Sequence, residues 1–350
     1  LYVKYDHPPM LRSASSAKAL CQSLLKQRCF EGNSLRKIGS FSLANSSHHR
    51  TFSTKRESVY DKISFIGVGK MAGALISPLV NSSIQPAEKI SVYDVSASAM
   101  DHISKEHGGR LKTSASIPEA VDGADLIVMA VKPQSVLTVY EELRKARELS
   151  LLRDDVTLLS VIAGKPIASF VEGTGIAKIA RSMPNTPAQI GQGVTVWCCT
   201  PDIKSEEQKK IEEVLNSFGK SIYVEDESYI DMSTAISGSG PAYIFLLIES
   251  MIDAGVDMGF SREVATTLVH QTILGSTMYA METGEHPAVL RNRVTSPAGT
   301  TASALYELEN GKFRTVIKDA VWACYRRSLE MGGSNSNVGP GRFSTHPEKK

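Results

Sequence analysis

Two stretches carry residue types and spacings that could do chemistry. The first is Arg293-Val-Thr-Ser-Pro-Ala-Gly-Thr-Thr-Ala302. Ser296 can cap a helix, and Pro297 suits its first position, where a missing N–H costs nothing. Ala298 and Gly299 carry little or no side chain, so an anion can approach the backbone, and Thr300 and Thr301 add hydroxyls. The first turn of a helix holds unpaired N–H groups and the positive end of the dipole, which suits a small carboxylate. Taken alone, the same residues favour a plainer reading, an ordinary capped helix start.

The second stretch is Gly67-Val-Gly69-Lys-Met-Ala72. It follows Lys62-Ile-Ser-Phe-Ile66, a short apolar run that reads as a buried strand, and precedes a helical pattern of Met71, Ala74, Leu75 and Leu79. Strand, glycine turn and helix are the context of a dinucleotide fingerprint. Gly67 permits the tight turn, Gly69 lets the backbone approach a pyrophosphate, and Ala72 keeps the helix close to the sheet. Pro78 is expected to kink or shorten that helix, since its ring opposes the carbonyl of Ala74. Asp94 closes the next strand, Lys89–Tyr93. A carboxylate roughly twenty residues past the glycines suits a ribose 2′-hydroxyl and repels a 2′-phosphate, which argues for NADH over NADPH. The alternative is a turn-forming Asp that caps a helix beginning near Ser96.

Elements able to position these residues follow from periodicity. Ala124–Val131 is a central strand ending in Lys132-Pro133, and Gln134–Glu148 is helical. Thr157–Ile162 is another buried strand, ending in Ala163-Gly164. Ile176–Met183 is a further one, followed by Pro184-Asn-Thr-Pro187. Near-continuous apolar strands alternating with helices mean an α/β fold, a Rossmann-type doubly wound parallel sheet with helices on both faces. Ligands to such a sheet lie at the carboxyl ends of strands, where Lys132, Gly164 and Asn185 fall. Gly193–Cys199 reads as one more strand, antiparallel at the edge, before a helix at 205–219 and a strand at 220–224.

From Tyr229 onward no strand pattern recurs. Ser239-Gly-Pro-Ala-Tyr243 opens a long helix to about Met258, Ser261 starts another to about Met281, and two more end near Asn310 and Met331. Ile244-Phe-Leu-Leu-Ile248 is apolar on more than one face, so two copies are expected to interleave as a dimer. The chain therefore divides into 61–228, a dinucleotide-binding domain, and 229–331, an all-α dimerisation and substrate domain. Residues 332–350 are expected to be a disordered tail.

Residues 1–60 read as disordered and transit-peptide-like. Residues 11–56 are Ser-rich and carry nine Lys or Arg against one acid, Glu31; Met10 is a plausible start. A mitochondrial address is expected, with a plastid as the alternative and the cytoplasm if the segment is no address. Without this segment the chain is mildly acidic, which argues against a nucleic-acid partner. No apolar run reaches the length of a membrane span; the longest, Ala242–Ile252, is interrupted by Glu249. The five cysteines show no metal spacing, and no metal is expected. His286 reads as a structural hydrogen-bonding residue, while His270 and Met251, Met258, Met278 and Met281 read as packing.

With these residues assembled, the chain resembles the pyrroline-5-carboxylate reductase family over about residues 61–331. The resemblance rests on Phe-Ile-Gly-Val-Gly-Lys-Met-Ala (65–72), Ala-Val-Lys-Pro (130–133), Arg-Ser-Met-Pro-Asn-Thr-Pro (181–187), Ser-Gly-Ser-Gly-Pro-Ala-Tyr (237–243), His-Pro (286–287) and Val-Thr-Ser-Pro-Ala-Gly-Thr-Thr (294–301). It implies hydride transfer from NADH or NADPH to the imine carbon of a five-membered ring, giving proline. It implies Gly67, Gly69, Lys70 and Met71 at the pyrophosphate, and Val131, Lys132 and Pro133 on the ribose and adenosine side. Ala163, Gly164 and Asn185 would form the nicotinamide wall, with Ser239, Gly240 and Pro241 a helix start close to that ring. Ser296, Ala298, Gly299 and Thr300 would hold the substrate carboxylate, and the Thr301 hydroxyl would meet the ring nitrogen as the catalytic group. Many members carry glycine where this chain has Ala298, a change that is tolerable if the torsions there are helical. Other readings are a reductase of a related cyclic imine acid, a β-hydroxyacid enzyme, or a silent dinucleotide-binding scaffold. The β-hydroxyacid enzymes usually need a Lys in the helical domain, and 229–281 has none.

Overall fold

The computed structural model describes residues 58–340. The sheet half runs β1 (Ile63–Ile66), α1 (Lys70–Asn81), β2 (Ile90–Tyr93), α2 (Ala97–Glu106), β3 (Lys112–Thr113), α3 (Ile117–Val121), β4 (Leu126–Met129) and α4 (Val136–Glu148). It continues through β5 (Thr157–Ser160), α5 (Ile167–Thr174), β6 (Lys178–Met183), β7 (Gly193–Cys199), α6 (Ser205–Asn216) and β8 (Gly219–Tyr223). The strands lie in the order β3-β2-β1-β4-β5-β6-β7-β8. The first six are parallel, with Ile63 of β1 paired to both Ile90 and Leu126. This is the order of a doubly wound nucleotide-binding sheet, whose direction reverses between β1 and β4.

The apolar strands are buried on both faces because helices cover both. Phe65 belongs to the core cluster on one side, which also holds Leu75, Leu79, Trp197 and Phe218. Its neighbour Ile66 points the other way, to Met129, Leu143 and Phe170. That alternation is the pleat itself.

Several expectations need correction. β7 is antiparallel to β6 as expected, but β8 pairs parallel outside it, so β7 is not the edge. Pro78 does not end α1, which runs on to Asn81 before the Ser82 N–H turns back to the Pro78 carbonyl. The lost N–H falls one turn from the helix end, where it does least harm. α3 had a readable start: Ser116 Oγ accepts from the Glu119 N–H, and Glu119 returns a bond to the Ala115 N–H. The fold begins before residue 61. Tyr60 is buried and donates to Glu207 Oε1 at 2.8 Å, and Lys89 Nζ reaches Ser58 Oγ at 2.8 Å. Burial, and then Glu207, push the Tyr60 phenol well above its ordinary range. The expectations for residues 1–57 lie outside the described residues.

The helical half is α7 (Ser228–Ser233), a π-turn at Thr234–Gly238, α8 (Gly240–Asp257), α9 (Arg262–Thr283), α10 (Pro287–Arg293), α11 (Thr300–Asn310) and α12 (Phe313–Met331). Ser239 is the N-cap of α8, as expected. The π-turn fuses α7 and α8 into one run, Ser228–Asp257. That run is long enough to cross a membrane and, in its most apolar 18-residue window, with a mean hydropathy of 1.4, apolar enough, where the sequence reading found no apolar run of that length. The apolar run read from sequence began at Ala242, whereas the helical run extends back through the π-turn to Ser228. Ser261 caps α9 as expected, accepting from the Val264 N–H, and Gly259 ends α8 at φ +105°.

Little of this half is buried within one chain: Ile252, Ala265 and Val269 form its small core. Phe245 is 61% exposed, Leu246 64%, Leu274 55% and Met278 60%. Met251, Met258 and Met281 are exposed too, as is His270, so these are not packing residues within one chain. The tail also departs from expectation. Arg326 donates to the Val338 and Pro340 carbonyls, both at 2.9 Å, and Gly339 lies against Trp322, so residues 332–340 follow a defined path back along α12.

Candidate functional site

A cleft of about 830 Å³ opens at the carboxyl ends of β1, β2 and β4, where the strand order reverses. Its size is that of a ligand pocket. Gly67, Gly69, Asp94, Val131 and Lys132 line it. Gly67 has φ +90°, and a Cβ there would lie 2.7 Å from the Ala130 carbonyl, so glycine is required by both torsion and space. Gly69 differs: a Cβ would meet nothing within 4 Å. It is the N-cap of α1 and offers no side-chain bond, so the first N–H groups of that helix face open space. Lys70 lines an adjoining hollow between α1 and α2, and Pro133 begins the short turn leading into α4. Met71, the first full turn of α1, is not on the cleft wall. Sequence reasoning missed Tyr93, Ser116, Gln134 and Thr138, which also line the cleft. The signal for them was their place at strand ends and in the first turns of α3 and α4.

Asp94 forms a turn, as one of its two readings had it, but it does not cap α2. Its Oδ2 accepts the Val68 N–H of the glycine turn at 2.8 Å, and its Oδ1 accepts the Ser96 N–H at 2.9 Å. The cap of α2 is Ser96 itself, which accepts from Ala99. Asp94 therefore braces the glycine turn and places a negative charge at the rim of the cleft.

Ala163, Gly164, Asn185, Ser239 and Gly240 are not on the wall of this cleft. They sit further along the sheet, where it meets the helices. Gly164 has φ +68°, and a Cβ there would strike Met331 at 2.7 Å, so the end of α12 rests on it. Beside it Arg181, 2% exposed on β6, pairs with Glu227 at 2.7 Å and Asp231 at 2.9 Å. Glu227 also accepts the Ile167 N–H at the start of α5, and Ser328 of α12 donates to Asp231. One buried cation thus ties β6, α5, α7 and α12 together. Asn185 is likewise buried, with both ends of its amide bonded to backbone. At the π-turn Tyr243 donates to the Ala235 carbonyl, and Cys324 to Ser239 Oγ. Burial, and then the neighbouring Cys324, push the Tyr243 phenol up to about 12.

The Ser296–Thr301 stretch is organised differently from expectation. The helix starts at Thr300, not after Ser296, and Gly299 is its N-cap without a side-chain bond. Ser296, Pro297, Ala298 and Gly299 form a tight turn, closed by the Gly299 N–H to the Ser296 carbonyl at 3.1 Å. Ala298 has φ +58°, so its torsions are left-handed rather than helical. A proline followed by a residue with positive φ is a type II turn, which explains a preference for glycine there. The Ser296 hydroxyl occupies the space a Cβ on Gly299 would need. The N–H groups of Thr300 and Thr301 are uncapped, and Thr301 is half-buried beside them. His286 is structural, its Nδ1 accepting the Ala288 N–H to start α10, a helix not expected from sequence. Among the described residues no cluster of His, Cys, Asp or Glu could hold a metal ion.

Comparisons with known proteins agree with this division. The family profile "Pyrroline-5-carboxylate reductase dimerisation" matches residues 227–331, and "NADP oxidoreductase coenzyme F420-dependent" matches 62–163. A pyrroline-5-carboxylate reductase of Arabidopsis thaliana is 37% identical over 273 residues, 78% of this chain and 96% of that protein. One of Pseudomonas aeruginosa is 37% identical over 271 residues, 77% of this chain and 96% of that protein. The crystal structure of the Plasmodium falciparum pyrroline carboxylate reductase with NADP bound superposes with a TM-score of 0.70 at 34% identity, covering 77% of this chain and 98% of that one. With a nucleotide-binding sheet, a dimerisation domain and these relatives over nearly their whole length, the chain belongs to the pyrroline-5-carboxylate reductase family.

Proposed function

We propose that the chain reduces 1-pyrroline-5-carboxylate to L-proline with a reduced nicotinamide dinucleotide. The observation that carries this reading is a pair of open helix N-termini. α1 begins after Gly69 and α11 after Gly299, and neither has a side-chain cap. One suits a pyrophosphate and the other a small carboxylate. The open space over Gly69 is what a closely approaching dinucleotide needs. The cofactor supplies the hydride. Gly67, Gly69 and Lys70 hold its phosphates, with Met71 in the same turn, and Val131, Lys132 and Pro133 line its ribose and adenosine side. Thr300 and Thr301 N–H groups hold the substrate carboxylate within the Ser296–Ala298–Gly299 turn, and the Thr301 hydroxyl orients the ring nitrogen. A cyclic imine is readily protonated, so no separate acid is required. Residues 61–228 bind the dinucleotide, and 229–331 carry the substrate turn and the assembly.

Two copies cover each other's exposed apolar helices, including the run Ser228–Asp257, so neither a bilayer nor a nucleic acid is a partner in this reading. Asp94 at the rim disfavours a 2′-phosphate and leans the enzyme toward NADH. Asp94→Ser should raise the preference for NADPH; an unchanged ratio would leave Asp94 as a brace alone. The basic, Ser-rich stretch 11–56 serves as a mitochondrial address, testable by the destination of a fluorescent fusion. The decisive measurement is oxidation of each reduced cofactor by purified protein with pyrroline-5-carboxylate. Absence of turnover with both would end the reading.

A further inference from the structure

Pro241 lies inside the helical run Ser228–Asp257. It has no N–H, so the carbonyl four residues earlier, on Ser237, lacks its usual helical donor. The π-turn does not supply one. The Ser239 N–H goes to the Thr234 carbonyl at 2.8 Å, and the Ala242 N–H goes to the Ser239 carbonyl at 3.0 Å. The donor comes from the sheet half. Asn185 Nδ2 donates to the Ser237 carbonyl at 3.1 Å. The other end of the same amide, Oδ1, accepts the Val194 N–H of β7 at 3.0 Å. Asn185 is 8% exposed and lies two residues past the end of β6. The fit beside it is close: a Cβ on Gly238 would lie 2.6 Å from Met183 Cε, at the end of β6.

This arrangement calls for asparagine. It needs a donor on one arm and an acceptor on the other, one methylene from the backbone. Asp offers no donor when ionised, Ser is too short to span, and Gln is longer by one carbon. The carbonyl it holds is two residues before Ser239, in the turn that also contains Gly240 and Pro241.

We propose, on the footing of the reductase activity, that Asn185 is a positioning residue: through the Ser237 carbonyl it sets the Ser239–Pro241 turn against the sheet for hydride transfer. It acts by supplying the hydrogen bond that Pro241 withholds, rather than by contact with the cofactor. A direct contact and a replaced hydrogen bond predict different couplings to Pro241.

The test is a cycle of four proteins: the wild type, Asn185→Ala, Pro241→Ala and the double variant. Turnover and KM with pyrroline-5-carboxylate are measured on each, with reduced-cofactor affinity followed by fluorescence. Asn185→Ala should lower kcat about tenfold or more with Pro241 present, and cofactor affinity should stay within about threefold. In the Pro241→Ala background residue 241 has its own N–H for Ser237, so the same change should cost less than about threefold. Equal penalties in both backgrounds overturn the proposal, as does a cofactor affinity that falls in step with kcat. Should Pro241→Ala be inactive, the cycle is read on melting midpoints: a smaller drop in that background supports the bond, and an equal drop refutes it. Should Asn185→Ala fail to fold, Asn185→Asp, which keeps the acceptor for Val194, takes its place in the cycle. A silent wild type would refute the reductase activity itself; an active wild type with an additive cycle would refute the clamp alone.

Discussion

In the turn proposed to hold the substrate, Thr301 and Ala298 have different work. Thr301 is half-buried in the first turn of α11, with an uncapped N–H and a hydroxyl on the same residue. Thr301→Ala removes only the hydroxyl. On the proposed role, in which the hydroxyl orients the reacting nitrogen, turnover should fall about tenfold or more while the cofactor still binds. Near-normal kcat would move the substrate site elsewhere. Ala298 does its work through the backbone. At φ +58° an alanine is strained by about 1–2 kcal/mol and a β-branched residue by more. Ala298→Gly should leave KM for the imine acid within about twofold, and Ala298→Val should raise it several-fold with little change in cofactor affinity. Steady-state kinetics on the two variants separate these outcomes. The sequence made the residue types in this turn legible, and with them the chance of an anion site. It did not reveal the torsion, because Ser-Pro is as good a helix start as it is a type II turn, and only the Gly299 N–H to Ser296 bond decides between them.

Among the elements, most of the sheet was readable because its strands are short apolar runs ended by glycine or proline, a pattern that two-sided burial imposes. β3, with its two exposed residues, left no such pattern. The junction between sheet and helices was also illegible, since a buried Arg is visible in sequence only as one more charge. Arg181 on β6 meets Glu227 and Asp231 of the α7 region and, through Asp231, Ser328 of α12. Arg181→Met should destabilise by about 3–5 kcal/mol, because it strands two carboxylates beside an apolar side chain. Thermal and urea unfolding would measure it, and a loss under about 1 kcal/mol would show that the network is dispensable. α2 carries a pH-dependent contact of its own. His107 ends that helix, and burial holds its imidazole below the ordinary value of 6.5. Because the folded pKa is the lower one, the unfolded chain takes up the proton first. Stability is therefore full above about 6.5 and declines as pH falls toward the folded value. His107→Gln should flatten that part of the acid limb in unfolding measured from pH 7 to 5. An identical slope in the variant would remove His107 as a contributor.

At the scale of the whole molecule, the decisive fact is that the helical half does not bury itself. A run as apolar as Ser228–Asp257, with Phe245, Leu246, Leu274 and Met278 each more than half exposed, is unfavourable in water for a lone chain. The sequence already pointed to a second copy, through a helix apolar on more than one face. The structure adds where the missing surface lies, along α8 and α9. The same geometry bears on catalysis. The cleft proposed for the cofactor is walled by β1, β2, β4 and α4 residues, and none of Ser296–Thr301 is on that wall. If two copies interleave through α8 and α9, the substrate turn of one can face the cleft of the other, and assembly becomes a condition for turnover. Leu274→Glu with Met278→Glu, four residues apart on one face of α9, sets two charges in the apolar surface and should separate the copies. Light scattering should then report the mass of one chain, reduced-cofactor affinity should stay within about threefold because the cleft lies wholly in the sheet half, and turnover should be lost. A variant that is monomeric, folded and fully active would show that one chain closes its own site. A variant that remains assembled would show that the copies meet through a different face.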